Sequence, residues 1–198
     1  MRTPRRIEVG DVLAEFGGES LGDARLDERL RRIVALVSAD PGQSFPDQME
    51  SVADREALYR CLANRKVTLA GVLSGHVRQT QTRMRGQGTV RVVHDTSTFR
   101  FLGDRAGRGV LRGGAKGFLA HVALVVAADE TREPLGVLGV HPYIHRDVVA
   151  HTGMTPSQRV KATRAKSRAD KELARWEQMA LAASGDLPEG VEALHVMD

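Results

Sequence analysis

The spacing of apolar residues changes at Gly86-Gln87-Gly88, and this change constrains the fold more than any other feature. Before it, apolar residues recur every three or four positions, which is typical of amphipathic helices. After it, short runs rich in valine and leucine lie between glycine, proline and aspartate, which is typical of strands. We therefore predict a protein of the α+β or α/β class, with a helical bundle over residues 1–86 and a mixed sheet over residues 87–198.

Three helices are predicted in the first part, after a polar entry over residues 1–22. They run from the N-cap residue Asp23 to about Ser38, from Val52 to Ala63, and from Leu69 to about Met84 after a Thr68 cap. In the second of these helices, Leu58, Cys61 and Leu62 are predicted to be buried, because they fall on one side of it.

Three strands, a helix and a fourth strand are predicted in the second part. The first three strands cover Val90 to His94, Phe118 to Ala127, and Leu135 to Val140. The helix runs from Pro156 to about Ala183, and the fourth strand from Ala193 to Asp198. Short connections favour an antiparallel meander for the first three strands. The helix allows a crossover, so the fourth strand can lie parallel to the first and beside it.

An aspartate ends two of the predicted strands, Asp95 after the first and Asp198 after the last. If these strands are neighbours, the two carboxylates meet at one edge of the sheet, where they repel unless a cation neutralises them. Mg²⁺ prefers such oxygen ligands and supports phosphodiester chemistry. Asp95 has an alternative role as the cap of a turn, because aspartate and serine favour turns.

The charge balance gives a weak preference for a polyanionic partner. The chain of 198 residues has 29 Lys and Arg against 25 Asp and Glu, a net charge of +4. Arg25 and Arg29 on the first helix, and Arg60 and Arg65 near the end of the second, are candidate phosphate contacts or simply a solvated face. With one cysteine, no leader and no apolar run of about 20 residues, we expect a cytoplasmic protein.

Several short segments carry a resemblance to a known family when they are read in order. They are Phe16-Gly17-Gly18, Leu21 to Leu26, Tyr59-Arg60 with Asn64, His94 to Ser97, Gly117-Phe118 with His121, and Val196-Met197-Asp198. They resemble the N-terminal signature, the Y-R-F-x-x-N helix end, the D-T-[ST] stretch, the G-[FW]-x-x-H strand and the second catalytic strand of the Tn-five class (insertion-sequence-four type) of bacterial cut-and-paste transposases.

The resemblance implies a helical domain that binds transposon ends, followed by a ribonuclease-H-like core. That family uses a D-D-E triad with Mg²⁺ or Mn²⁺ to nick, hairpin and join DNA. By position, Asp95 matches the first triad aspartate and Asp198 the second, while Arg25 and Arg29 match arginines of the DNA-binding helix. Double-stranded DNA is the implied partner, with a homodimer as the complete protein, working at the bacterial nucleoid.

Departures from the family pattern modify this expectation. The third acid and the dimerisation region are absent from these residues, Cys61 replaces an aromatic, and Arg65 stands where proline is common. We therefore expect the front part of a transposase, whether a truncated gene, a fragment or a remnant, with weak or no Mg²⁺ binding and no cleavage alone. Three functions remain open: a DDE transposase, a non-catalytic DNA-binding regulator, and a decayed product.

Overall fold

The computed structural model describes residues 9–17, 21–103, 107–111, 114–144, 153–165 and 172–197. The helices are α1 (Val9–Glu15), α2 (Ala24–Ala39), α3 (Val52–Leu62), α4 (Leu69–Met84), α5 (Pro156–Ala165) and α6 (Glu172–Gly185). The strands are β1 (Thr89–Phe101), β2 (Gly109–Val110), β3 (Lys116–Ala127), β4 (Pro134–Tyr143) and β5 (Glu192–Val196). Helices followed by a mixed sheet with helices confirm the predicted α+β class.

Two compact units make up the chain, Met1–Gln79 and Thr80–Asp198. The division predicted from the sequence lies between residues 86 and 87. The observed division lies between Gln79 and Thr80, within α4. None of the helices in the described residues is long and apolar enough to cross a membrane.

Side-chain caps set where the helices of the first unit begin. The Asp23 carboxylate accepts a hydrogen bond from the Arg25 amide at 3.1 Å, which fixes the start of α2. The Thr68 hydroxyl accepts from the Gly71 amide at 3.1 Å and does the same for α4. Both predicted caps are confirmed, because each satisfies an amide that the first helical turn leaves without a partner.

The α2 and α3 helices run antiparallel. Lys66, just after α3, contacts Asp23 at the start of α2 with Nζ and Oδ2 3.5 Å apart. Further along α2, Arg32 Nε lies 2.8 Å from Oδ1 of Asp54 in the first turn of α3. An apolar cluster closes the interior of this unit: Leu21, Leu26 and Leu30, with Val34, Val67 and Val72 packed against them.

Burial within α3 follows the prediction except at its last residue. Leu58 and Cys61 are each 1% exposed, as predicted, whereas Leu62 is 60% exposed. Residue 62 is one step of about 100° beyond Cys61 around the helix, which carries its side chain off the buried side. The prediction that Leu62 is buried was therefore wrong.

A short helix, α1, lies within the segment predicted as a polar entry, where no helix was predicted. It packs closely on α4, since a Cβ added at Gly75 would lie 2.6 Å from the carbonyl oxygen of Glu15. Beside this contact, Oε2 of Glu15 lies 2.7 Å from Nδ1 of His76. The docking depends on this close approach, which a pattern of apolar spacing does not show.

The sheet of the second unit has β3 between β1 and β4, antiparallel to both. β5 pairs with β1 in parallel, from Thr89 opposite Glu192 to Val93 opposite Val196. The predicted meander and the parallel fourth strand are both confirmed. α6 packs on β1, β3 and β4. The single helix predicted from Pro156 to Ala183 corresponds to α5 and α6, with residues 166–171 outside the described residues.

The first strand continues well beyond its predicted end at His94. β1 stays paired with β3 as far as Phe101, opposite Lys116, so Asp95 lies inside the strand opposite Val122. The predictions that Asp95 ends a strand, or caps a turn, were therefore wrong. The threonines and phenylalanines that follow Asp95 suit a pleated surface, and β3 offers them a partner along its whole length.

Candidate nucleic-acid interface

Arg25 and Arg29 lie one turn apart on the same side of α2, and both are exposed. In a helix, residues four apart are neighbours on the surface. In the part of the chain that the structure describes, neither guanidinium has a hydrogen bond or ion pair. Both positive charges lie on one side of the helix and are open to solvent. They can therefore contact an anionic partner without first breaking an ion pair within the described chain.

Arg60 lies in the last turn of the neighbouring helix, α3, and Arg65 lies just beyond that end of the helix. Arg60 contacts Glu56, one turn earlier, with Nη2 and Oε2 3.1 Å apart and both side chains more than 60% exposed. An exposed pair of this kind stabilises a helix by only about 0.3–0.5 kcal/mol, so exchanging Glu56 for another anion costs little. Arg65 is exposed in the connection to α4.

The antiparallel course of α2 and α3 brings these four arginines to one end of the helix pair. The Lys66–Asp23 contact places the segment that carries Arg65 beside the first turn of α2. Burial raises the pKa of the Cys61 thiol, and the positive charge of Arg29 opposes part of this rise. This influence agrees with the antiparallel pairing, which places the start of α2 beside the end of α3. We name Arg25, Arg29, Arg60 and Arg65 the arginine cluster.

Arg32, on the same helix, has a different role. It bonds to both oxygens of Asp54, with Nε to Oδ1 at 2.8 Å and Nη2 to Oδ2 at 3.2 Å. A hydrogen bond from the Arg32 side chain, with another from Ser51, holds the pKa of Asp54 below its ordinary value. Arg32 thus joins α2 to α3, which the sequence alone does not distinguish from a DNA contact.

Asp95 lies on the side of β1 that faces away from α6. Along β1, Val90, Val92 and His94 are buried, whereas Asp95 is exposed. We call the exposed side the outer face and the buried side the inner face. Asp198 falls outside the described residues. Among the described residues, no group of three or more histidine, cysteine, aspartate or glutamate side chains could hold a metal ion.

The inner face carries a continuous chain of hydrogen bonds through three imidazoles. Its members are Ser184, His195, His94, His121 and Thr96, in that order. The successive distances between the bonded atoms are 2.9, 2.8, 3.2 and 2.9 Å. We name it the histidine chain. It joins β5, β1 and β3 to α6, since each of these elements contributes at least one member.

One arrangement of protons satisfies the whole chain. Ser184 Oγ donates to the carbonyl of Ala180 at 2.8 Å, so it is free to accept from Nε2 of His195. Each further imidazole then donates from Nε2 and accepts at Nδ1, and the Thr96 hydroxyl donates to the last one. This assignment follows from the network and requires every ring to be neutral.

Burial keeps the centre of the chain neutral. It lowers the pKa of His94 to about 4, and the neighbouring His195 and His121 add to the effect. Burial also lowers the pKa of His195. His94 is buried and Asp95 is exposed, because neighbours on a strand face opposite sides. His121 is fully buried, and its Nδ1 is bonded to the Thr96 hydroxyl. The chain itself was missed, because its histidines are 27 and 101 residues apart in sequence.

Comparison with protein families finds a similarity over part of the chain. Residues 12–67 match the transposase DNA-binding family. The matched stretch contains α2, α3 and the whole arginine cluster, and it indicates DNA as a partner of the first unit. A search against curated proteins found no match.

Proposed function

We propose that the first unit binds duplex DNA at transposon ends through the arginine cluster, as part of a transposase. The observation that carries this proposal is the family match over residues 12–67, which contains all four arginines at one end of α2 and α3. Arginine presents a planar fork of donors that suits phosphate oxygens. Such contacts position a protein on the duplex without reading its sequence.

A paired substitution tests the contact. We expect Arg25→Ala with Arg29→Ala to weaken binding of a labelled duplex by about tenfold or more, because charged hydrogen bonds are lost. Fluorescence anisotropy measures the affinity. The matched control is Arg31→Ala with Arg55→Ala, which removes the same charge from other exposed positions of α2 and α3. Equal weakening by both pairs would show a general charge effect and no specific surface.

Recognition of transposon ends needs a separate experiment, because phosphate contacts alone do not choose a sequence. The purified chain is incubated with duplexes of randomised sequence, and the bound fraction is sequenced over several rounds. We expect one sequence to be enriched at a fixed distance from the duplex end. A bound pool that stays random would remove end recognition from the proposal while leaving duplex binding intact.

We further propose that the second unit is the ribonuclease-H-like core of a DDE transposase that dimerises as the complete protein, with Asp95 and Asp198 as ligands of Mg²⁺ or Mn²⁺. The pairing of Val93 with Val196 supports this, since each valine stands two positions before one of the aspartates. Such an ion would neutralise charge at phosphate oxygens. Among the described residues, Asp95 is not part of a group of three or more side chains that could hold a metal ion.

Metal binding can be measured without activity. Mn²⁺ titration followed by electron paramagnetic resonance should show weak binding that Asp95→Asn removes, and Asp129→Asn serves as the control at an exposed turn. We expect the 198-residue chain not to cleave DNA, because two carboxylates supply part of a two-metal site. Cleavage by the parent chain that disappears in Asp95→Ala would contradict this. Identical Mn²⁺ binding by the parent and Asp95→Asn would remove Asp95 as a ligand.

A further inference from the structure

The outer face of β1 and β3 changes character along its length. Residues opposite each other in an antiparallel pair have their side chains on the same face. The successive outer-face pairs are Asp95 with Val122, Ser97 with Ala120, Phe99 with Phe118, and Phe101 with Lys116. The face therefore runs from a carboxylate, past a pair of small residues, to an aromatic and basic end.

Three rings at that end form one nearly parallel set. Phe99 and Phe118 have centroids 5.0 Å apart and planes 16° apart, and Phe101 and Phe118 have centroids 5.7 Å apart and planes 28° apart. The guanidinium carbon of Arg108 lies 4.6 Å from the centroid of Phe101. We name Phe99, Phe101 and Phe118, with Arg108 and Lys116, the aromatic platform.

The platform is open to solvent, although apolar rings gain from burial. Phe99 is 44% exposed and Phe101 is 42% exposed. The chain has five phenylalanines, and three of them are here. An exposed apolar patch with basic residues at its rim is typical of a binding surface. The set is therefore better explained by a ligand with flat rings than by the stability of the sheet.

A cavity of about 240 Å³ lies beside Phe118. Gly107, Pro142, Tyr143 and Ile144 complete its lining. Its volume is below the roughly 300–1,000 Å³ of pockets that hold drug-sized ligands. It therefore suits a small flat group such as a single ring system, placed against the edge of the stacked phenylalanines.

The charge around the platform favours a polyanion. The described basic side chains at the platform are Arg108 and Lys116. The outer-face pairs named above carry one acid, Asp95, about 13 Å along the strand from Phe99. Aromatic rings beside a positive groove are the combination that binds single-stranded nucleic acid, because bases stack while cations contact phosphates. An apolar protein partner would not need this excess of positive charge.

We propose that the aromatic platform binds unpaired bases of single-stranded DNA, with Arg108 and Lys116 contacting the phosphates. The platform is a second site, distinct from the arginine cluster, and the choice of DNA over RNA rests on the proposed function of the first unit. From Phe99 to Asp95 the strand covers about 13 Å, or about four nucleotides at the rise of a duplex strand. A strand stacked on the platform therefore reaches the carboxylate of Asp95.

The first test is the affinity of the full chain for a labelled thymidine oligomer of about 16 nucleotides. Phe99→Leu with Phe118→Leu keeps the apolar volume but removes the ring faces, so we expect binding about tenfold weaker. Phe45→Leu is the matched control, since Phe45 is 56% exposed in the first unit. Thermal unfolding of each variant checks that the sheet is intact.

A second variant reports on stacking itself. Phe99→Trp preserves a ring face, so affinity should be retained and the emission of the new indole should fall when the oligomer binds. The variant is made together with Trp176→Phe, because Trp176 is the single tryptophan of the chain. Arg108→Gln should reduce the slope of log Kobs against log salt by about 0.7, the value for one phosphate of a single strand.

Each contrary result has a defined meaning. Equal affinity of the parent and the double leucine variant, or unchanged emission of Phe99→Trp, overturns the platform. The same measurement is made with an RNA oligomer of equal length. If RNA binds more tightly than DNA, with the same sensitivity to the leucine variants, DNA is not the ligand. Self-association that the leucine variants abolish, without oligomer binding, makes the platform a protein interface. Duplex binding is measured on the same samples, so its loss with oligomer binding retained contradicts the proposed function alone.

Discussion

His94 is surrounded by groups that favour its neutral form. His121 on β3 and His195 on β5 bond to its two nitrogens, and a proton added at Nδ1 of His94 would face the Nε2–H donor of His121. From α6, Ser184 bonds to His195, and the Trp176 ring lies 5.1 Å from that of His121. None of the four hydrogen bonds that link the described members of the histidine chain involves a carboxylate. Protonation of His94 therefore costs both solvation and hydrogen bonds.

We predict that the second unit loses stability as the pH falls below neutrality. The pKa of His94 is about 4 when folded and about 6.5 when unfolded, so the unfolded chain takes up the proton first. The stabilisation is complete above pH 6.5 and is lost as the pH falls towards 4, by up to about 3 kcal/mol. Urea unfolding followed by Trp176 fluorescence measures it.

The contribution of this one residue is obtained by comparison with a variant. His94→Asn lowers stability at pH 7 but removes the titrating group, so its unfolding free energy should change less between pH 7 and pH 4.5. His141→Asn, at an exposed position of β4, should retain the parent pH dependence. If the parent and His94→Asn have the same pH dependence, the histidine chain is not the cause.

Elements with a strong local signal were predictable from sequence. α2 and α4 begin where Asp23 and Thr68 cap them, and their apolar spacing continues to within a residue of their ends. β1 was cut short because Asp95, Thr96 and Ser97 suit turns as well as strands, and the choice depends on pairing with β3. The local sequence does not indicate whether a strand pairs with residues more than 20 positions away. The ends of such strands therefore need the tertiary structure.

The site was predictable to a different extent in each unit. The arginines of the cluster could be named from sequence, but their position at one end of α2 and α3 depends on contacts such as Lys66 with Asp23. The histidine chain and the aromatic platform were not predicted. Both depend on the register of β1 with β3, and a shift of one residue would move every side chain to the other face.

The C-terminal half of β1 depends on Gly117, and we predict that Gly117→Ala disrupts this half of the strand. A Cβ there would collide with the carbonyl oxygen of Phe99 and lie 2.7 Å from Cδ1 of Leu111. We expect a loss of about 1–3 kcal/mol and faster hydrogen exchange at the amides of Phe99 and Phe101. Gly185→Ala, with no atom within 4 Å of its new Cβ, is the control. Unchanged exchange in Gly117→Ala would refute this.

Over the whole molecule, each unit has its own buried residues, and this allows the two proposed sites to be separated. Leu58, 1% exposed, belongs to the first unit, so Leu58→Ala should cost about 2–5 kcal/mol there. We expect hydrogen exchange to rise mainly within residues 24–62, with weaker duplex binding and unchanged oligomer binding. Leu62→Ala, at a 60% exposed position of the same helix, should change neither. An equal rise of exchange in β1 and β3 would contradict the separation.

The salt dependence of duplex binding tests most directly whether the arginine cluster binds the phosphates of duplex DNA. Each phosphate contact contributes about −0.9 to the slope of log Kobs against log salt, because it releases condensed counterions. Replacing all four arginines of the cluster by alanine should therefore make the slope shallower by roughly 3–4. A quadruple variant that folds and binds duplex DNA with the parent slope would contradict the account.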